Sequence, residues 1–220
     1  MMEGSPQGGG PLRLTRIRSY PLKGAGGFDL PATRFDAFGV PGDRRWMLVK
    51  TNGDFISQRT HPRLALIQLS PLVEGADPLG ERSNNEPRDV RRFLVEAPGM
   101  DPIVLDMDAE PGPTIPVRVQ QARVEGILIE PVSNWFASYL GEECRLVFSP
   151  EHFNRPVDPD YAPGHTTSFS DGYPLLITTE ASLTDLNRRL AHPSSMLRFR
   201  PNLVIGGADP WEEDCWRILE

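Results

Sequence analysis

The chain has 220 residues, enough for one large domain or two small ones with a real core. Its 23 Lys plus Arg stand against 30 Asp plus Glu, and the formal net charge of −7 argues against general nucleic-acid binding, which needs a basic surface. Two cysteines, Cys144 and Cys215, are too few for a disulfide scaffold or a Cys-based zinc or iron–sulfur site, and no apolar run approaches the ~18 residues of a membrane span.

With 23 Pro and 20 Gly, the composition predicts many turns and short elements rather than long helices. Residues 1–11 lack a basic-then-apolar leader and read as a flexible tail, so a soluble, reducing, cytoplasmic setting is the default expectation. Leu12 to Ile17 alternates roughly and reads as a strand. Trp46-Met47-Leu48-Val49 is a compact apolar strand, and Asn52-Gly53 behind it is a hairpin turn with Phe55-Ile56-Ser57 returning. Leu64 to Leu69, bounded by Pro62 and Pro71, reads as a further strand, and residues 74–91 as an exposed loop. Arg92 to Val95 and Ile103 to Leu105 resume the strand pattern before a Pro-rich stretch, Glu110 to Pro116, that is the best candidate for a domain boundary.

Beyond it, Val117 to Ile129 holds two strand-like pieces. Ser133 is expected to cap a short helix whose Trp135, Phe136, Tyr139 and Leu140 form one apolar stripe, stopped by Gly141. Cys144, beside a short apolar strand, reads as a buried structural thiol. Residues 149–173 show no periodicity, which marks a functional loop or a disordered one. Leu175-Leu176-Ile177 reads as a buried strand, and Thr179 as the cap of a helix from Glu180 to Leu190.

No hydrolase nucleophile motif, phosphate-binding Gly loop or HExxH pair occurs, and His61, His152, His165 and His192 lie at no metal-ligand spacing. The run Arg198-Phe199-Arg200-Pro201-Asn202, read as extended, turns Arg198, Arg200 and Asn202 to one face and Phe199 to the core. Two guanidiniums and an amide suit phosphate or carboxylate and the edge of a heterocycle. Polar groups recur at other turns: Lys23 after Tyr20-Pro21-Leu22, the Asp43-Arg44-Arg45-Trp46 run after a tight turn, Ser57-Gln58-Arg59 before a His-Pro turn, and Ser170-Asp171-Gly172-Tyr173 before a buried strand. Only two of the 23 basic residues are lysines, Lys23 and Lys50, so Lys23 is not there through a general abundance of lysine. Glu212-Glu213-Asp214 reads as a solvated acidic face.

In this order, over about Leu12 to Ile218, these motifs resemble the MOSC family, the domain found at the C-terminus of molybdenum-cofactor sulfurases. The likeness is to two-part members with an N-terminal MOSC β-barrel, such as the mitochondrial amidoxime-reducing components and their bacterial relatives. The resemblance implies a mainly β fold with a few helices: a β-barrel-like domain over 12–116 packed on a MOSC barrel over 117–220. It also implies a pyranopterin molybdenum cofactor, whose phosphate and polar rings call for cationic and amide donors, and it carries pyridoxal phosphate binding as a family association. Matched motif by motif, Lys23 and Gly24 stand where the family has a Lys-Ser pair, and Arg44 matches the arginine of Asp-Arg-x-Trp. Asp171, Gly172 and Tyr173 occupy the pterin-lining turn, and Arg200 and Asn202 match the Arg-Pro-Asn motif. Arg59 and Arg198 are looser partners behind them.

By the same resemblance a cysteine thiolate binds the metal from a segment beyond the Glu-Asp-x-Trp motif. Here Glu213-Asp214-Cys215-Trp216 is present and the sequence ends four residues later, at Glu220. Cys215 falls at the variable position of that motif and does not match the ligand, so no metal ligand is assigned unless Cys215 substitutes for it. The expectation is a chain shortened before its final strands, with an open barrel edge that favours dimers. Three functions stay open: part of a molybdenum-dependent enzyme that reduces N-oxygenated compounds with electrons from a partner, a cofactor carrier or sulfur-delivery module, and an inactive scaffold.

Overall fold

A computed structural model describes residues 10–72, 90–153 and 155–217. Residues 1–9 of the tail expected over 1–11, and most of the loop expected over 74–91, lie outside the described residues. The strands are β1 (Arg13–Ser19), β2 (Phe28–Leu30), β3 (Trp46–Val49), β4 (Gln68–Pro71), β5 (Arg92–Glu96), β6 (Ile103–Asp106), β7 (Thr114–Val119), β8 (Ala122–Leu128), β9 (Arg145–Phe148), β10 (Ile177–Thr179) and β11 (Leu203–Gly206). Two α-helices, α1 (Glu130–Leu140) and α2 (Glu180–Arg189), complete a mainly β architecture among the described residues. None of these helices is long and apolar enough to cross a membrane.

The chain forms two compact units, one of residues 19–174 and a smaller one that joins the N-terminal segment through Arg18 to everything from Leu175 onward. In the larger unit an antiparallel sheet runs β3-β9-β8-β7, and a second runs β4-β5-β6. The Pro-rich stretch leads directly into β7, which pairs with β8 from Thr114↔Ile127 to Val119↔Ala122. All four residues of β3 are buried, and strand alternation divides them between two cores. Trp46 and Leu48 pack with Leu22, Ile56, Phe93, Phe136 and Leu146. On the other side Met47 and Val49 meet Val117, Val119, Val147, Phe153 and Phe169. The hairpin after β3 closes as expected, with Gly53 at φ 85 and Val49 bridged to Phe55.

Local readings needed correction at five places. Pro62–Leu66 is a 3₁₀ turn rather than a strand, because Pro62 favours a helical start and the three-residue spacing of Leu64 and Ile67 puts both in the core. The first helix begins at Glu130 with Pro131 in its first turn. Ser133 is therefore interior: its Oγ donates to the Ile129 carbonyl (2.8 Å) and accepts from the Leu146 amide (3.0 Å), tying α1 to β9. Gly141 does end that helix, at φ 73. The strand expected at Leu175 starts only at Ile177 and is half-buried, with Leu176 exposed.

The last two corrections are, like the third, in the smaller unit. Residues 198–202 are not extended: Met196–Arg198 is a 3₁₀ turn, Phe199 is right-handed helical, and Arg200 has φ 58. Pro201 disfavours the right-handed helical region for the residue before it. Phe199 is 41% exposed, so it is no core plug. In this unit β11 pairs in parallel with β10 and antiparallel with β1, where Thr15 forms a bulge and donates its Oγ1 to the Val204 carbonyl. Thr179 caps α2 as expected, accepting from the Ser182 amide. Glu213, expected on a solvated face, instead accepts from the Thr179 amide (3.1 Å) and the Ser182 hydroxyl (2.7 Å), reinforcing that cap.

The two thiols differ sharply. Cys144 is buried, and burial together with the Glu142 charge pushes its pKa up to about 11, whereas Cys215 is exposed. One thiol per native chain should therefore react with an aromatic disulfide reagent at about pH 8, and the second only on unfolding. Two fast thiols in the native protein would contradict the packing around Cys144.

Candidate functional site

Lys23 follows a short bridge, Leu22 to Trp46, and its amide donates to the Trp46 carbonyl (2.8 Å), so it hangs from the start of the most buried strand. The residue is 8% exposed. Its ammonium donates to Asp171 Oδ1 at 2.6 Å and lies 5.5 Å from the centre of the Phe55 ring. Burial lowers its pKa below 10.5; the Asp171 charge and hydrogen bond offset this only in part, and the Arg44 and Arg155 charges add to it. Gly24 has φ 88, and its carbonyl accepts from Gln58 Nε2 (2.5 Å). A side chain there would be strained by the backbone and would sit 3.2 Å from Leu64 Cδ1. The backbone itself thus favours glycine at this position.

Arg44 also lies in the left-handed region, at φ 49. Its backbone is held on both sides: the amide donates to the Tyr20 carbonyl (2.9 Å), and its carbonyl accepts from the Phe169 amide (3.2 Å) and Ser168 Oγ (3.2 Å). Its guanidinium pairs with Asp43 and stands over the Tyr20 ring, 5.1 Å from the centroid. Asp43 is itself fixed by accepting from the Tyr20 amide (2.7 Å).

Asp171 is the exposed member, with a side chain 76% exposed. Besides Lys23, Oδ1 accepts from Gln120 Nε2 (2.9 Å). Burial opposes ionisation of this carboxyl, but the charge and hydrogen bond of Lys23, the hydrogen bond of Gln120 and the charge of Arg44 outweigh it and hold the pKa below 3.8. Gln120, in the β7–β8 turn, is another left-handed residue, at φ 55. Non-glycine residues in that region cost about 1 kcal/mol or more each, and such strain gathers at functional sites.

Sequence reasoning did not single out Arg155 or Gln120. Arg155 is 7% exposed, and its donors converge on three backbone carbonyls: Ser168 (3.0 Å), Ser170 (2.5 Å) and Asp171 (2.6 Å). It is the post on which the Asp171 turn is built. The available signal was indirect: an arginine inside an aperiodic stretch read as a functional loop. For Gln120 it was the two-residue gap between two strand-like pieces.

Gly172 and Tyr173 follow Asp171 and are exposed; a Cβ at Gly172 would meet nothing within 4 Å, and Tyr173 packs edge-on to Tyr161 (6.4 Å). Arg59 is exposed and is tied to Lys23, Arg44 or Asp171 by no hydrogen bond or ion pair. In the smaller unit Arg198 is exposed and Arg200 half-buried. Asn202 is 1% exposed and uses its amide internally, accepting from the Leu176 amide (3.1 Å) and donating to the Arg18 carbonyl (3.2 Å). Among the described residues no group of three or more His, Cys, Asp or Glu side chains is placed to hold a metal ion.

What these parts define is a mainly β protein that gathers a buried ammonium and two guanidiniums around the bend at Asp171. A MOSC N-terminal beta barrel domain matches residues 12–143, and a MOSC domain matches residues 164–220. The chain belongs to the MOSC family. It is 30% identical to the mitochondrial amidoxime reducing component 2 of Rattus norvegicus, over 94% of this chain and 60% of that protein. The human mitochondrial amidoxime-reducing component 1 is likewise 30% identical, over 94% of this chain and 59% of its own length. The human molybdenum cofactor sulfurase is 27% identical, over 94% of this chain and 24% of its own. The chain thus spans at most 60% of the length of each of these relatives.

Proposed function

We propose that the chain binds a phosphate-bearing pyranopterin molybdenum cofactor and acts in the reduction of N-oxygenated compounds, supplied with electrons by a partner protein. The observation that carries this reading is Lys23, a nine-tenths-buried ammonium whose side-chain hydrogen bond goes to an exposed carboxylate. Burying a lysine is costly, and an exposed aspartate is a weak return for it. A phosphate fits the same donor far better, since it brings more charge and more acceptor oxygens. The name of one relative, a molybdenum cofactor sulfurase, names this cofactor, and those of the amidoxime reducing components name a reduction.

In this reading the Lys23 ammonium and the Arg44 guanidinium bind phosphate oxygens. Gly172, with open space where a side chain would be, lets the cofactor approach the backbone, and Tyr173 offers a ring face. Arg155 orients the Asp171 turn and touches no ligand. For Gly24, Arg200 and Asn202 the motif match alone carries the proposal, and Arg59 and Arg198 enter it only as looser partners behind them. When bound, the molybdenum centre supplies the redox chemistry, and the protein supplies binding and orientation.

Purified from cells that make the cofactor, the chain is expected to carry pterin, read as fluorescence after oxidation. Chain from such cells without pterin overturns the proposal. A second reading, a carrier or sulfur-delivery module, is favoured by the likeness to the sulfurase. Pterin-loaded chain that reduces no N-hydroxylated compound with a chemical electron donor, yet hands its pterin to an acceptor protein, would select it.

A further inference from the structure

Asp171 combines two properties that rarely serve a structural pair. Its carboxylate sits 2.6 Å from a buried ammonium, yet its own side chain is 76% exposed. The backbone beneath it does not depend on that carboxylate: the Asp171 carbonyl is held by Arg155 Nη2 at 2.6 Å, and the neighbouring Ser170 and Ser168 carbonyls by Nη1. The side chain can therefore swing into water by rotation about its own bonds while the turn stays in place. Gln120 donates to the same oxygen, so its amide would be released together with Lys23.

We propose that Asp171 is a displaceable internal ligand of Lys23, so that the larger unit takes up a dianionic oxyanion group by exchanging it for this carboxylate. The proposal rests on the oxyanion-binding reading of Lys23 and adds how the site is kept filled and for what it is selective. Around the ammonium stand Arg44, paired with Asp43, and Arg155, with Asp171 as the counter-charge that can leave. Exchange of one negative charge for two then gains Coulomb energy in a partly desolvated place, and the freed aspartate recovers its hydration. A monoanion replaces Asp171 without that gain. The site discriminates by charge, and Asp171 sets the threshold.

The test uses the intact chain and inorganic sulfate, which is dianionic throughout the neutral range, followed by titration calorimetry. Asp171→Asn is expected to bind sulfate roughly tenfold more tightly than the wild type, since the competing charge is gone while the turn keeps its Arg155 bonds. Asp171→Ala, which also removes the Gln120 acceptor, should bind at least as tightly as Asp171→Asn. Adding Lys23→Met to Asp171→Asn should abolish the gain, and chloride should not bind the wild type measurably but should bind Asp171→Asn, which has lost the competing charge. Equal or weaker sulfate binding by both Asp171 variants, with unchanged circular dichroism, overturns the proposal, as does the absence of sulfate binding in all proteins. Pterin content is a separate readout: pterin retained without sulfate exchange leaves the cofactor reading standing and removes this one.

Discussion

Arg155→Ala is expected to destabilise the protein by about 4 kcal/mol, read as a lowered denaturation midpoint at unchanged slope. Three carbonyls, those of Ser168, Ser170 and Asp171, would lose their donor at once, and the bonds to the first two are buried. A buried acceptor left unsatisfied costs about 1–3 kcal/mol, and bonds from a charged donor are the stronger kind. No water can easily replace a guanidinium fork in a place where Ser168 is 0% and Ser170 3% exposed. Arg155→Lys should recover part of the loss, because one ammonium cannot reach three carbonyls with the geometry of a planar fork. The second consequence is electrostatic. With a neighbouring positive charge removed, the pKa of Lys23 should rise towards its ordinary value. An Arg155→Ala protein with wild-type stability would show that the Asp171 turn is held by something other than this arginine.

Lys23→Met should do the opposite: remove binding and leave stability nearly intact. Pterin retention is expected to fall about 30- to 160-fold, the loss that follows from deleting a charge-assisted bond worth about 2–3 kcal/mol. The stability change should stay within about 1 kcal/mol. The lost pair with Asp171 is partly exposed and screened, and methionine keeps an apolar body beside Phe55. Its pH dependence has a definite sign. The folded pKa of Lys23 is lowered, so between that value and 10.5 the unfolded chain holds the proton that the native chain has released. In that window native stability gains with rising pH through Lys23, and the gain is complete above 10.5. Below the window the wild type carries the cost of a buried charge that Lys23→Met lacks. The advantage of the variant should therefore shrink as pH rises through the window. An advantage that grew with pH would mean that Lys23 is stabilised in its charged form, and that Asp171 is a stronger partner than its exposure suggests.

Much of the β architecture was legible because short strands show as apolar runs between turn residues. Trp46 to Val49, Arg92 to Val95 and Ile103 to Leu105 needed no tertiary information. Where the reading failed, one local signal admitted two structures. Leu64 to Leu69 is apolar enough for a strand, but Pro62 and the spacing of Leu64 and Ile67 favour a 3₁₀ turn, and burial of both side chains decides between them. Arg198 to Asn202 looked extended because its residue types alternate, yet Pro201 and the left-handed Arg200 make a corner. The acidic run at Glu212 looked solvated because composition says nothing about the amides across from it.

The candidate site divides the same way. The residue types at Lys23, Arg44 and Asp171, and the order of the motifs around them, were sufficient to point to the MOSC family and to a cationic grip. Side-chain chemistry is local and survives in the sequence. Only the tertiary structure decided which of those groups meet, because Lys23 and Asp171 lie 148 positions apart and touch through packing of the larger unit. It also brought in Gln120 and Arg155, whose roles come from reaching a carboxylate and three carbonyls across the fold. And it turned Asp171 from one more residue of a motif into a counter-charge exposed enough to leave.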